Sequence, residues 1–347
     1  MKQPLPAMSK PISRRAFLSL TGALSLGVAT VGIPLPTEAA KFDRTLYKVS
    51  KSQLGMGTFI NMIVFHPSKG EAEEAMGQAF DEIKRLSSLM TRYRSTSYIG
   101  HLNATGSLKG APSEVMEVLH SSLRYHTISQ GAFDITVMPI VDLYQHSFQA
   151  NNAPPSPQAL QETMDRVGSQ HLTMTKDSVS FARSGMEVSL DGIAKGYIID
   201  RAMEVLRQQN IQHALINAGG DIVVHGGKEE GKPWSIGIQD PWNHKRYVDV
   251  VTLNSGAIAT SGNYEVFFDQ EKLFHHLIVP QKGTPAPSIA SVSIQATNAM
   301  EADALATTAY VMGPDKGYQF IKQFRGVEGL IIKNRKHKIS SSGWKKS

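Results

Sequence analysis

The 347-residue chain carries 36 Lys and Arg against 30 Asp and Glu, a formal net charge of +6, with 41% hydrophobic and 19% charged residues. That is ordinary globular composition, long enough for one large core or two modest ones. It contains no cysteine, which excludes disulfides, thiolate nucleophiles, iron–sulfur clusters, cysteine zinc sites and a lipid anchor built on a signal cysteine.

Lys2, Lys10, Arg14 and Arg15 against Glu38 put +3 into the first forty residues, leaving +3 for the rest. A body so weakly basic gives no argument for nucleic acid. Residues 11–20 read Pro-Ile-Ser-Arg-Arg-Ala-Phe-Leu-Ser-Leu, then a weakly apolar run reaches Ile33, then Thr37-Glu38-Ala39-Ala40 supplies small residues. Basic, apolar and small, in that order, is an export signal. The paired arginines favour the twin-arginine export machinery over the general secretory route, with cleavage near Ala39 or Ala40. The expected location is therefore periplasmic. No later stretch approaches the roughly 18 apolar residues of a membrane span.

In chain order, Gly55–His66 is rich in β-formers and predicts a strand. Ala72, Ala75, Met76, Ala79, Phe80, Ile83, Leu86 and Leu89 recur at helical spacing and predict a helix over 70–92. A second helix is predicted over 113–129, and the Asn- and Pro-rich 145–158 reads as a loop. A third helix is predicted from Gly192 to Gln209, followed by strands at 213–217, 221–226, 234–239 and 247–253. Helices at 300–312 and 315–324 precede a last strand at 327–332. Strands and helices mix without a βαβ rhythm, so the fold class is α+β, with mixed sheets and packed helices. The divisions are an export signal over 1–40, one functional domain over 41–335, and a solvated basic tail over 336–347.

Four segments carry candidate chemistry. Gly131-Ala132-Phe133-Asp134 follows a helix; Asp134 is either a ligand contact or a turn cap. Ser189-Leu190-Asp191-Gly192-Ile193-Ala194-Lys195-Gly196-Tyr197 joins an extended run to a helix. A glycine-lined helix start favours an anion such as pyrophosphate, and Lys195 adds a point charge suited to phosphate oxygens. The same pattern also serves as a tight turn with a surface lysine. Asn217-Ala218-Gly219-Gly220-Asp221 marks a tight turn or a close backbone approach to a ligand. Asp303 and Thr307 lie four apart at a helix start and share a face. Their oxygens suit Mg²⁺, though an acid in a first helical turn also complements the helix dipole.

Taken in order, these segments resemble the FAD:protein FMN transferase (ApbE) family. The resemblance adds Met56-Gly57-Thr58, Tyr93-Arg94 with Ser97, Leu102-Asn103, Asp200, Thr260-Ser261-Gly262-Asn263-Tyr264, His276 and Pro280, and it covers most of residues 53–332. It implies a Mg²⁺-dependent transferase that splits the pyrophosphate of FAD, its substrate, and places FMN on a threonine hydroxyl while AMP leaves. It implies FAD contacts at Met56, Tyr93, Ala132, Phe133, Asp134, Ser189, Lys195 and Leu277. It implies metal ligation by Asp303, Thr307 and the carbonyl of Gly192, with Asp303 and Lys195 catalytic. The implied partners are flavin-bearing acceptor subunits of membrane respiratory complexes. The chain departs from the family's acids at Ser189, Val279 and Tyr98. Two further readings remain open: a non-catalytic FAD-binding or delivery protein, and an FAD pyrophosphatase that releases FMN to water.

Overall fold

A computed structural model describes residues 38–41, 46–228, 231–263, 274–286 and 289–344. The expected export signal lies outside the described residues except for Glu38–Ala40, and Tyr264 lies outside them as well.

The chain runs β1 (Glu38–Lys41), β2 (Tyr47–Gly55), β3 (Thr58–His66), α1 (Lys69–Met90), α2 (Tyr98–Thr105), β4 (Ser107–Lys109), α3 (Ser113–Ile128), α4 (Met138–Asn151) and α5 (Pro157–Met164). It continues through β5 (Leu172–Met174), β6 (Ser178–Phe181), α6 (Ala194–Gln208), β7 (His213–Ala218), β8 (Asp221–His225), β9 (Trp234–Asp240), β10 (Asn243–Leu253) and β11 (Gly256–Gly262). It ends with β12 (Ile278–Val279), β13 (Thr284–Pro285), β14 (Ser291–Ala296), α7 (Ala299–Met312), α8 (Pro314–Ile321), β15 (Glu328–Asn334) and β16 (His337–Ser340).

Among the described residues, nine strands make one sheet in the order β1-β2-β3-β7-β8-β11-β14-β15-β16. Every neighbouring pair is antiparallel. The two-residue period of a strand sorts its side chains between two cores. On β3, Ile60, Met62 and Val64 join the core under the helices, while Ile63 and Phe65 face the opposite side. On β15, Ile331 faces the helices and Leu330 and Ile332 face away. Helices α1, α6 and α7 cover the first face. The β9–β10 hairpin covers the second through Trp234, Ile236, Ile238, Val251 and Leu253. The α+β class therefore stands.

Helix α1 shows how local sequence sets an element. Ser68 accepts the Glu71 N–H at 3.3 Å and caps its start. Ala72, Ala75, Met76, Ala79, Phe80, Ile83, Leu86 and Met90 form its buried stripe. Extended backbone at Thr91 stops it. The small alanines let α1 lie close against α6, its main helical neighbour.

Three expectations are corrected. The strand expected over Gly55–His66 is a hairpin: Gly55 pairs with Thr58, and Met56 (φ 51°) and Gly57 (φ 75°) make the turn. Both central residues have positive φ, as a type I′ turn requires. The loop expected over 145–158 contains the end of α4 and the start of α5. The prolines that suggested a loop instead open helices: Pro139 lies in the first turn of α4, and Pro157 is the first residue of α5, capped by Ser156. Helix α2 and strands β2, β11 and β14 have too little periodic contrast to be read from sequence. The basic end is not a free tail, because β16 pairs with β15 and Trp344 is buried in the second core.

Candidate active site

Helix α6 and the start of α7 meet at backbone contact. A Cβ on Gly196 would stand 2.2 Å from the Ala299 carbonyl oxygen, so only glycine fits there. Asp200, one turn along α6, accepts the Ala299 and Met300 N–H groups, each at 2.8 Å, and so caps α7 from a neighbouring helix. Burial pushes its carboxyl up to about 6, with those two donors pulling the other way. Asn298 adds a local cap by accepting the Glu301 N–H at 2.8 Å.

This junction places the oxygen donors. The Gly196 N–H donates to Asp303 Oδ2 at 3.1 Å, and Asp303 is 5% exposed. Thr307 Oγ1 lies 3.1 Å from Ser261 Oγ, at the end of β11. A Cβ on Gly192 would sit 3.2 Å from Thr307 Oγ1 and 3.5 Å from Phe133 Cε2. Gly192 thus leaves room for its backbone to lie against the Thr307 hydroxyl. The Asp303 carboxylate and the Thr307 hydroxyl are hard oxygens of the kind that fits Mg²⁺ chemically, and the Gly192 backbone lies against Thr307. Among the described residues there is no group of three or more His, Asp or Glu placed to hold a metal.

Positive charge gathers beside this set. Lys195, in the first turn of α6, lies with Nζ 2.9 Å from Asp221 Oδ2. Arg92 Nε is 3.8 Å from Asp191 Oδ2, and its guanidinium lies 4.5 Å from the Tyr93 ring centre. The α6 N-terminus adds its own partial positive charge. Sequence reasoning missed Arg92 as a site residue, since an arginine after a helix carries no local signal, and Ser261 entered only within a family motif with no role given to it.

Two hairpin turns and the end of a third strand share one end of the sheet. Ile60 pairs with Ala218 and Ala218 with Asp221, so the Met56-Gly57 turn adjoins the Gly219-Gly220 turn. Gly219 has φ 63°, and a Cβ there would meet Thr58 Oγ1 at 2.6 Å. Gly220 donates to Asn217 Oδ1 at 2.9 Å, and a Cβ on it would meet nothing within 4 Å. β11 runs antiparallel beside β8 and brings Ser261 and Gly262 to the same end.

The remaining expected residues divide into exposed, buried and internally engaged. Tyr93 is 62% exposed, with the Arg92 guanidinium over its ring. Phe133, expected as an FAD contact, is core, packed edge-on against Tyr125 with centroids 5.9 Å apart, so its ring is covered by the protein. Leu277 is buried in the main core. Ser189 is buried; its hydroxyl accepts the Asp191 N–H at 3.2 Å, and its N–H donates to the Ile135 carbonyl at 2.8 Å. Its neighbour Val188 is held by both ends of the Asn103 amide, at 2.9 and 2.8 Å.

Asp134 is turned inward. Oδ1 accepts from Thr136 N (2.8 Å), Thr136 Oγ1 (2.6 Å) and Ser169 Oγ (2.7 Å), and Oδ2 accepts from Ser169 N (3.0 Å). His126 Nδ1 lies 3.3 Å from Oδ2. Burial pushes this carboxyl up, but hydrogen bonds from His126, Thr136 and Ser169 outweigh it and hold it below its ordinary 3.8. The Asp134 hydrogen bond raises His126 above 6.5 against the opposing effect of burial. The signs fix a pH window. The lowered acid stabilises the fold above about pH 4, and that contribution is lost as pH falls through its folded value. The raised histidine stabilises below about pH 6.5, and that contribution is lost as pH rises through its folded value. Thermal melts across pH 3–9 are expected to show this pair's contribution as a plateau between about 4 and 6.5. Asp134→Asn, compared with wild type over the same series, is expected to lose that plateau; parallel curves would remove the pair from the pH dependence.

The hard-oxygen set, the cationic helix start and the glycine-lined sheet end lie together at one end of the sheet. Residues 56–331 match the ApbE family, and the chain belongs to that family. It is 29% identical over 337 residues to the FAD:protein FMN transferase of Haemophilus influenzae, covering 92% of this chain and 96% of that protein. The crystal structure of the ApbE protein from Thermotoga maritima superposes with a TM-score of 0.74 at 27% identity, covering 82% of this chain and 94% of the other. The flavin transferase ApbE from Vibrio cholerae gives 0.73 at 25% identity, covering 89% and 99%.

Proposed function

We propose that this chain is an FAD:protein FMN transferase that acts on a threonine of an acceptor protein. The observation that carries the reading is the convergence of Gly192, Asp303 and Thr307 beside the α6 start and Lys195. The names of the family relatives support the same activity.

The reaction balances simply. The threonine oxygen bonds to the phosphorus on the FMN side, and the bond from that phosphorus to the bridging oxygen breaks. AMP leaves with the bridging oxygen, and the hydroxyl proton passes to solvent or to the AMP phosphate. Such a transfer needs positioning and charge neutralisation more than covalent help from the protein. Mg²⁺ held by Asp303, Thr307 and the Gly192 carbonyl would neutralise charge on the phosphoryl oxygens. Lys195 and the positive end of the α6 dipole are placed to hold the phosphates. Tyr93, exposed and backed by Arg92, offers a face for a flat ring. The sequence of residues 1–40 supports export by the twin-arginine route to the periplasm, where flavin-bearing respiratory subunits would be the acceptors.

The test incubates the purified chain with FAD and Mg²⁺, with and without a candidate acceptor domain carrying a threonine. AMP release and in-gel flavin fluorescence are both read. Labelling matched by AMP, and abolished by chelation, is the expected result. AMP without labelling across a panel of acceptors would make it a pyrophosphatase. FAD binding with neither product would make it a carrier.

A further inference from the structure

We propose that Asp221 is a positioning residue that fixes the direction of the Lys195 ammonium, a role resting on the transferase reading. Lysine is a point charge on a flexible four-carbon stem, so its use at a phosphate depends on what holds it. Here Asp221 Oδ2 lies 2.9 Å from Lys195 Nζ. Asp221 is 2% exposed, while the Lys195 side chain keeps a quarter of its surface open. Oδ2 has no hydrogen-bond partner recorded among the described residues, so the ammonium is the group that balances it.

The frame around the pair is stiff. Asp221 is the first residue of β8, directly after the Gly219-Gly220 turn that Asn217 pins. Lys195 precedes Gly196, whose N–H holds Asp303. The ion pair therefore ties the charge on α6 to the end of the sheet where the oxygen set lies. Open space flanks the Gly220 turn, since a Cβ there meets nothing within 4 Å. A buried ion pair is in general weak support for a fold, and an apolar pair often replaces it without loss. A pair with one open cation at a phosphate-type site points to orientation instead.

The experiment is a double-mutant cycle on the full chain: Asp221→Asn, Lys195→Met and the two combined. AMP release gives kcat and KM for FAD, flavin fluorescence gives FAD affinity, and melting curves report folding. Asp221→Asn is expected to lower kcat by about tenfold or more with KM changed less than about threefold. The combined variant is expected to be no slower than Lys195→Met alone, because Asp221 acts only through Lys195. Lys195→Met leaves a buried charge and is the variant at risk of unfolding. If it unfolds, the combined variant, which removes both charges, is compared with Asp221→Asn and is expected to be the slower of the two. Unchanged kcat in Asp221→Asn overturns the proposal, as do losses that multiply across the cycle or a combined variant no slower than Asp221→Asn. If wild type binds FAD but releases no AMP, the transferase reading fails by itself. The cycle is then read on FAD affinity, where the same non-additivity is expected. Wild type that does not bind FAD defeats both.

Discussion

Asp303→Asn is expected to slow AMP release from FAD by about 10²–10³-fold while the protein stays folded, a loss comparable to removing one strong electrostatic donor to a transition state. The amide is isosteric with the carboxylate and keeps an oxygen to accept the Gly196 N–H now held at 3.1 Å. What it removes is the negative charge, and with it most of the affinity of a hard-oxygen set for Mg²⁺. Raising Mg²⁺ should therefore restore part of the rate, and the melting temperature should stay within roughly 3 °C of wild type. Flavin binding should persist, because Tyr93 and the α6 start are untouched. Full turnover in Asp303→Asn at limiting Mg²⁺ would remove the metal assignment.

The second large effect comes from a single methyl group. Gly196→Ala adds a carbon 2.2 Å from Ala299 O, 2.5 Å from its carbonyl carbon and 2.7 Å from Met300 N, all of them backbone. In an open helix the same change stabilises by roughly 1 kcal/mol. Here the overlap is with main chain that cannot rotate away, and the cost is about 3 kcal/mol or more. The clash wins, so a fall of about 5–10 °C in melting temperature is expected. Activity should fall further than stability predicts, since α6 carries Lys195 and α7 carries Asp303 and Thr307. Gly77, in α1, has nothing within 4 Å of an added Cβ. Gly77→Ala is the control and should be neutral or slightly stabilising. If the two alanine variants melt alike, the close packing of α6 on α7 is not a constraint.

Long amphipathic helices were readable from sequence because burial and periodicity coincide. α1 and α6 have one apolar face each, and their expected limits fall within two residues of those observed. α7 was placed to within a residue, although it is buried nearly all round and has little amphipathic contrast. β11 reads Gly-Ala-Ile-Ala-Thr-Ser-Gly, small residues covered on both faces, so no alternation shows. The expected grouping of Gly192, Asp303 and Thr307 came from the family resemblance, and the contacts through Gly196 and Ser261 bring that group together. Asp134 shows the opposite limit. Its sequence context left ligand contact and turn cap both open, and only its five inward partners reveal a carboxylate occupied by the fold itself. Phe133 was expected as an FAD contact from the family resemblance alone; its burial against Tyr125 could not be read locally.

The neighbours of the oxygen set are far apart along the chain. The helix that supplies Asp303 and Thr307 begins only at residue 299 of 347, and β15 and β16, the last strands of the sheet, follow later still. During synthesis, the N-terminal hairpin and α1 can form early, but the set of Gly192, Ser261, Asp303 and Thr307 cannot exist until α7 has left the ribosome. A complete oxygen set therefore marks a molecule whose α7 has docked.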